Sequence, residues 1–322
     1  MIEKVTDWYS FFSLSPEERA ENARHMENPP KGTADAVLDT DTYNEVDDQF
    51  ALAYLLKSSD RVRTRAIYAA PFYNQKSDSP KDGMEKSFCE IGRVLDVMGL
   101  SQEYGAKVFK GSDRFLENES EPVDSPAARH LAELAMQYTP ESPLYVIAIG
   151  AITNVASAIL MQPEIARRIV IVWLGGNAHH WPHNREFNAY QDVAAMRIVF
   201  GCGARFVQLP AMGVVSAFTI SGVELEKYLK GHNRLCDYLL ETVFHEMEDP
   251  QHTGLWTRVI WDVTAVAWLL DEGFMLARPV PAPVPQYDNT YAFDSSRHTM
   301  TCVFQVNRDS IYRDLFRKLT QD

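Results

Sequence analysis

The sequence predicts an α/β fold: an open, mostly parallel central sheet flanked by helices, with a more helical carboxyl-terminal part. Three observations point there. Short apolar runs rich in β-branched residues recur along the chain, helical patterns fall between them, and after Pro210 the helical patterns predominate. Strands that alternate with helices pair in parallel, because a parallel neighbour cannot be reached through a tight turn.

The first 33 residues are polar and helix-prone around SPEERAENARHM and break at Pro29, Pro30 and Gly32. They read as an N-terminal extension to a single domain spanning residues 34–322. Strand-like runs follow at AVLD (36–39), VRTRAIYAA (62–70), LYVIAIG (144–150), RIVIVWLGG (168–176) and ARFVQLP (204–210). The helical patterns between them are DDQFALAYLLKS, MEKSFCEIGRVLDVMG, PAARHLAELAMQY, TNVASAILMQ and DVAAMRIVFG. Beyond Pro210, SGVELEKYLKGHNRLCDYLLETVFHEME and WTRVIWDVTAVAWLLD read as helical, and PVPAPVP (279–285) as an extended connection. The rest of the carboxyl-terminal stretch is polar and β-like.

With 322 residues, 46% of them hydrophobic, the chain can bury a large core without disulfides. Cys89, Cys202, Cys236 and Cys302 lack metal-binding or redox spacing and are expected as buried thiols. No apolar run reaches membrane-spanning length, and the charged amino-terminal stretch is unlike a secretory leader. The expectation is a cytoplasmic protein with no membrane partner. A formal net charge of −13 without a basic block argues against nucleic acid as a partner, since the surface repels phosphate.

The sharpest feature is DTDTYNEVDD, which places Asp39, Asp41, Glu45, Asp47 and Asp48 in the turn between the first strand and the first helix. Carboxylates this close repel one another. A solvated acidic turn is the plain alternative, but the carboxyl end of a parallel strand is where open α/β sheets bind ligands, and apolar residues flank the turn on both sides. Such crowding calls for a cation. Oxygen ligands favour Ca²⁺ or Mg²⁺, and the loop holds no histidine or cysteine for zinc.

This loop resembles the amino-terminal DxDxxxDD signature of the inosine-uridine preferring nucleoside hydrolase family. The resemblance extends over roughly residues 34 to 310, with further motifs in family order. It implies calcium-dependent hydrolysis of the N-glycosidic bond of ribonucleosides, a small-molecule substrate, a place in purine or pyrimidine salvage, and assembly as a homodimer or homotetramer. It also implies site residues. Asp41, Asp48, Asp262 and the backbone carbonyl of Ile149 hold Ca²⁺, Asp41 doubles as general base on a metal-bound water, and Asp47 grips a ribose hydroxyl. Metal binding lowers the pKa of such a water, so a carboxylate can deprotonate it near neutral pH. The loop departs from the family by two extra residues between its DxD and DD elements, around Tyr43 and Asn44.

The other motifs follow the strands. Asn74 ends AIYAAPFYN and takes the place of a ribose-contacting asparagine; alone, it is an ordinary turn residue. VIAIGAITN resembles the family's GPLTN segment and supplies the Ile149 carbonyl, while Thr153 and Asn154 read as a helix cap. In NREFNAYQD, Glu186 and Asn188 correspond to residues that bind the ribose 3′ and 5′ hydroxyls. Two apart on an extended segment, they would point the same way. Asn177 and Asn184 are both candidates for the family's additional loop asparagine. Asp262 lies in VIWDVTAVAWLLD, where a buried aspartate costs several kcal/mol unless paired or bound to metal.

Trp261 stands where family members often carry a histidine that protonates or orients the leaving base. The HG element of some members is missing as well. An indole can stack on a base but cannot readily donate a proton. Trp261 together with His180 and His183, from the loop 179–183, is therefore expected to form the base pocket, the alternatives for the histidines being a solvated loop or a transition-metal site. Two rivals stand beside the hydrolase: a catalytically altered, calcium-dependent ribose- or nucleoside-binding protein of the same fold, and a Mg²⁺ phosphohydrolase. The second lacks the lysine and phosphate-cradling glycine loop it needs.

Overall fold

The computed structural model describes Glu17, residues 29–247 and residues 256–321. The helix-prone stretch expected near residues 15–26 lies, Glu17 apart, outside them. An eight-stranded sheet organises the chain, in the order β3-β2-β1-β4-β5-β6-β12-β9. Its members are β1 (Ala34–Thr40), β2 (Val62–Ala69), β3 (Val108–Lys110), β4 (Leu144–Ala148), β5 (Ile169–Leu174), β6 (Arg205–Leu209), β9 (Met275–Pro281) and β12 (Thr299–Val306). Every pairing is parallel except β9 with β12.

Alternation along β1 shows how sequence becomes layers. Ala36 and Leu38 enter the core on one face, Val37 the core on the other. The first core also takes α1 (Asp47–Leu56), α2 (Pro80–Val97), α9 (Arg234–Glu246), α10 (Val263–Leu270) and α11 (Arg308–Leu319). The second takes α4 (Pro126–Ala135), α5 (Thr153–Met161) and α7 (Val193–Gly201). α8 (Gly222–Leu229) adds Leu225 and Leu229 to the first core, while α3 (Ser101–Tyr104) and α6 (Phe187–Gln191) are single-turn pieces that give Tyr104 to the first core and Ala189 to the second. Strand order reverses at β1 and β4, and a crevice outside their carboxyl ends is where such a sheet takes a ligand.

The carboxyl-terminal third departs from expectation in three places. WTRVIWDV is not helical throughout: β8 (Thr257–Val259) pairs antiparallel with β7 (Thr219–Ser221), and the helix starts only at Val263. Strand-favouring Thr257 and Val259 find a partner edge there. PVPAPVP joins the sheet instead of merely connecting elements. Pro279 and Pro281 sit on edge strand β9, where a missing N–H costs least, and Val284–Pro285 pairs with Tyr291–Ala292. The polar tail ends in α11, which buries Ile311, Tyr312, Leu315, Phe316 and Leu319. Charged residues between these positions masked their helical spacing. Among the cysteines, Cys202, Cys236 and Cys302 are buried as expected, but Cys89 is exposed. No helix among the described residues is long and apolar enough to cross a membrane.

Candidate active site

The acidic loop closes on itself where β1 ends. Asn44 N–H donates to the Asp41 carbonyl at 2.7 Å, and α1 begins at Asp47 with Asp47 and Asp48 in its first turn. Carboxylates are favoured at a helix amino terminus by the unpaired N–H groups there. Thr40 Oγ1 donates to Asp48 Oδ1 at 2.5 Å, and the Asp262 N–H reaches Asp47 Oδ2 at 3.3 Å. Asp262 occupies the cap position of α10, yet its carboxylate makes no capping bond and is left for the pocket. One oxygen from each of Asp47, Asp48 and Asp262 lies within 4.8 Å of the others. The loop and the distant aspartate therefore meet.

Asp41 faces the same cavity but stands outside this trio. Its Oδ1 lies 2.9 Å from where a Cβ on Gly150 would be, so only glycine leaves room for the carboxylate. Both Asp41 oxygens and Asp47 Oδ1 are buried without a hydrogen-bond partner. Burial, and then the neighbouring Asp48, raise the Asp41 pKa well above the carboxylate range; burial likewise pushes Asp47 up to about 7. Asp48 and Asp262 are raised by burial and by Asp47. These groups cannot all ionise in a dry pocket unless an opposite charge enters. Orphaned, hard, anionic oxygens of this kind fit a divalent cation such as Ca²⁺.

The cavity, of about 250 Å³, is lined by these four aspartates, Asn44, Glu45, Ile149, Glu186, Phe187, Asn188, Trp261 and the apolar Leu174, Ala211 and Met212. Ile149 N–H donates to the Asp39 carbonyl at 2.9 Å, which fixes the peptide at the end of β4. The Ile149 carbonyl accepts from Asn188 Nδ2 at 3.1 Å, and the same amide reaches the Leu174 carbonyl at 3.0 Å. Glu186 and Asn188 do not share an extended segment. Glu186 caps the short helix α6, accepting from Asn188 and Ala189 N–H, and takes a third N–H from Gly176 at 2.8 Å. Burial pushes its carboxyl up to about 7. Both side chains still reach the cavity, brought there by a helical turn and not by strand alternation.

Three expected site residues lie elsewhere. Asn74 lines a neighbouring cavity, with its Nδ2 donating to Asn44 Oδ1 at 2.6 Å, so it holds the loop while Asn44 faces the pocket. His180 and His183 are exposed and do not line the cavity. Between them the loop is pinned from within: Asn177 Nδ2 donates to the His183 carbonyl, Asn177 N–H to Asn184 Oδ1, and Met212 N–H to Asn177 Oδ1. Both asparagines are thus spent on loop structure. The Thr153–Asn154 pair is no cap either. Thr153 Oγ1 donates to Asp192 at 2.7 Å, and Asn154 joins Asp39 to the Ser112 N–H and hydroxyl, each at 2.8 Å.

The chain matches the family model for inosine-uridine preferring nucleoside hydrolase over residues 36–313. It belongs to that family. Non-specific ribonucleoside hydrolase RihC of Salmonella newport (strain SL254) is 29% identical over 170 residues, 52% of this chain and 53% of that protein. The chain is thus matched to about half the length of its curated relatives. A plant nucleoside hydrolase, PpNRh1, superposes with a TM-score of 0.71 at 17% identity, covering 90% of this chain and 99% of the other. A purine-preferring ribonucleoside hydrolase from Gardnerella vaginalis gives 0.70 at 20% identity, covering 89% and 98%. These structures are alike in fold.

In this nucleoside hydrolase family member, the sequence did not point to Leu174, Phe187, Ala211 or Met212 as pocket residues, and it marked Asn44 and Glu45 only as part of the acidic loop. Asn44 and Glu45 lie in the lengthened part of the acidic loop, a usable signal. Phe187 lies between two residues already singled out. Leu174, Ala211 and Met212 end or follow strands, and nothing in their types distinguishes them from core.

Proposed function

We propose that the chain hydrolyses the N-glycosidic bond of ribonucleosides, releasing ribose and free base, with Ca²⁺ held by Asp41, Asp48, Asp262 and the Ile149 carbonyl. The observation that carries this reading is the set of buried, partnerless carboxylate oxygens on Asp41 and Asp47, facing Asp48 and Asp262 at the reversal point of the sheet. Asp47 stands close enough to Asp48 and Asp262 either to join the ligands or to take a ribose hydroxyl; the family resemblance supports the hydroxyl.

A bound Ca²⁺ would supply positive charge that lowers the pKa of water at the site. Asp41, with both oxygens free of protein partners, takes the proton from the attacking water. Glu186 and Asn188, which line the same cavity beside Ile149, would hold the sugar. As the glycosidic bond breaks, the ribose ring gains positive charge, and the surrounding carboxylates stabilise it. Trp261 gives the departing base an apolar wall without an acidic proton. The reading fits a cytoplasmic enzyme acting on small molecules.

Without an acid at position 261, turnover should depend on how well the base leaves unaided. p-Nitrophenyl riboside is expected to outpace inosine by a wide margin in steady-state assays. Equal rates would show an efficient acid at the site and remove this part of the mechanism. Nucleoside binding without ribose release from either substrate would favour the altered binding protein.

A further inference from the structure

Residues 42–46 form a wall between two cavities. Asn44 and Glu45 line both the carboxylate pocket and a neighbouring cavity of about 850 Å³. Charge holds this wall in place. Arg258 Nη2 meets Glu45 Oε2 at 3.0 Å, and its Nη1 meets Glu246 Oε2 at 3.1 Å. Lys76 pairs with the other oxygen of Glu246 and donates to the Asn44 carbonyl at 2.8 Å. Two cations and two carboxylates thus close a circuit that begins and ends in the acidic loop.

Arg258 is the least exposed member, its side chain 16% exposed against 47% for Glu45 and 32% for Lys76. It sits on β8, four residues before Asp262, whose N–H bonds to Asp47. The guanidinium also opposes the rise in the Asp47 pKa, so it lies within the field of the cluster. In the absence of a cation, any ionisation of these carboxyls sets like charge on the loop against like charge on Asp262 and pushes the two segments apart. A matched ion-pair circuit beside the pocket resists that without occupying it.

We propose that Arg258 is a positioning residue: through Glu45 and Glu246 it fastens the segment carrying Asp262 to the loop carrying Asp41, Asp47 and Asp48, so the cation site is assembled before the cation arrives. This rests on the calcium reading above. Were Arg258 only a nearby positive charge, it would repel Ca²⁺, and removing it would tighten binding. The two roles predict opposite signs.

The test is calorimetric titration of Ca²⁺ into the chelator-stripped full chain, for wild type, Arg258→Met and Arg258→Lys, with circular dichroism on each. Arg258→Met is expected to weaken calcium binding by about tenfold to a hundredfold, the usual effect of losing a partner behind the metal ligands. Arg258→Lys keeps the charge but loses the planar fork, and is expected to recover only part of the affinity. Unchanged or tighter binding by Arg258→Met overturns the proposal. Should that variant fail to fold, wild-type affinity in Arg258→Lys does so instead. If the wild type itself binds no calcium, the reading of the site falls and this inference with it.

Discussion

At the scale of single residues, the behaviour of the site turns on its carboxylates. Asp41→Asn removes the proposed base and one anionic ligand, and ribose release is expected to fall by about a hundredfold to ten-thousandfold. Its thermal midpoint in chelator should not drop, because the side chain has no hydrogen bond to lose and repels Asp48. A variant with near-normal ribose release removes Asp41 from the mechanism. The raised pKa values also set a pH dependence. Carboxyls whose folded pKa lies above the unfolded value stabilise the fold at low pH and lose that contribution as pH rises through the folded value. Asp47 and Glu186 stand at about 7. The chelator-treated protein is therefore expected to lose thermal midpoint between about pH 4 and about pH 7, and calcium to reverse the loss. A midpoint in chelator that climbs over this window contradicts the electrostatics. Asp262 was legible because an aspartate in an apolar run demands a partner; His180 and His183 misled because a loop hides where its rings point.

At the scale of elements, the knot around Asn154 matters most. Its side chain ties the end of β1 to the loop after β3 through Asp39 and Ser112, while Thr153 beside it ties α5 to Asp192. Asn154→Ala strands buried partners on both sides, at about 1–3 kcal/mol for each unsatisfied group, so a stability loss of about 3 kcal/mol is expected in urea unfolding. A loss below about 1 kcal/mol would return the pair to the role of a simple cap. The sequence showed the alternation of strands and helices plainly, since β1, β2, β4, β5 and β6 are apolar runs bounded by turns. It hid α11, whose buried positions are diluted by arginine and aspartate, and β8, whose pairing with β7 depends on a partner remote in sequence.

For the whole molecule, the sheet does the gathering. Asp41 follows β1, Ile149 follows β4, Glu186 and Asn188 follow β5, and Asp262 precedes the helix that packs against α1, so one crevice collects residues spread over more than two hundred positions. Family order in the motifs made that convergence readable before any coordinates, whereas the apolar lining supplied by Leu174, Ala211 and Met212 is visible only once the strands are side by side. The function proposed for the whole molecule is calcium-dependent release of ribose. Its most direct test is a panel of purine and pyrimidine ribonucleosides incubated with the purified full chain, with ribose measured in excess chelator and after calcium is restored. The expected result is ribose from at least one nucleoside with calcium and a loss of most of that activity in chelator; no ribose from any nucleoside with calcium present, or equal release in chelator, would contradict it.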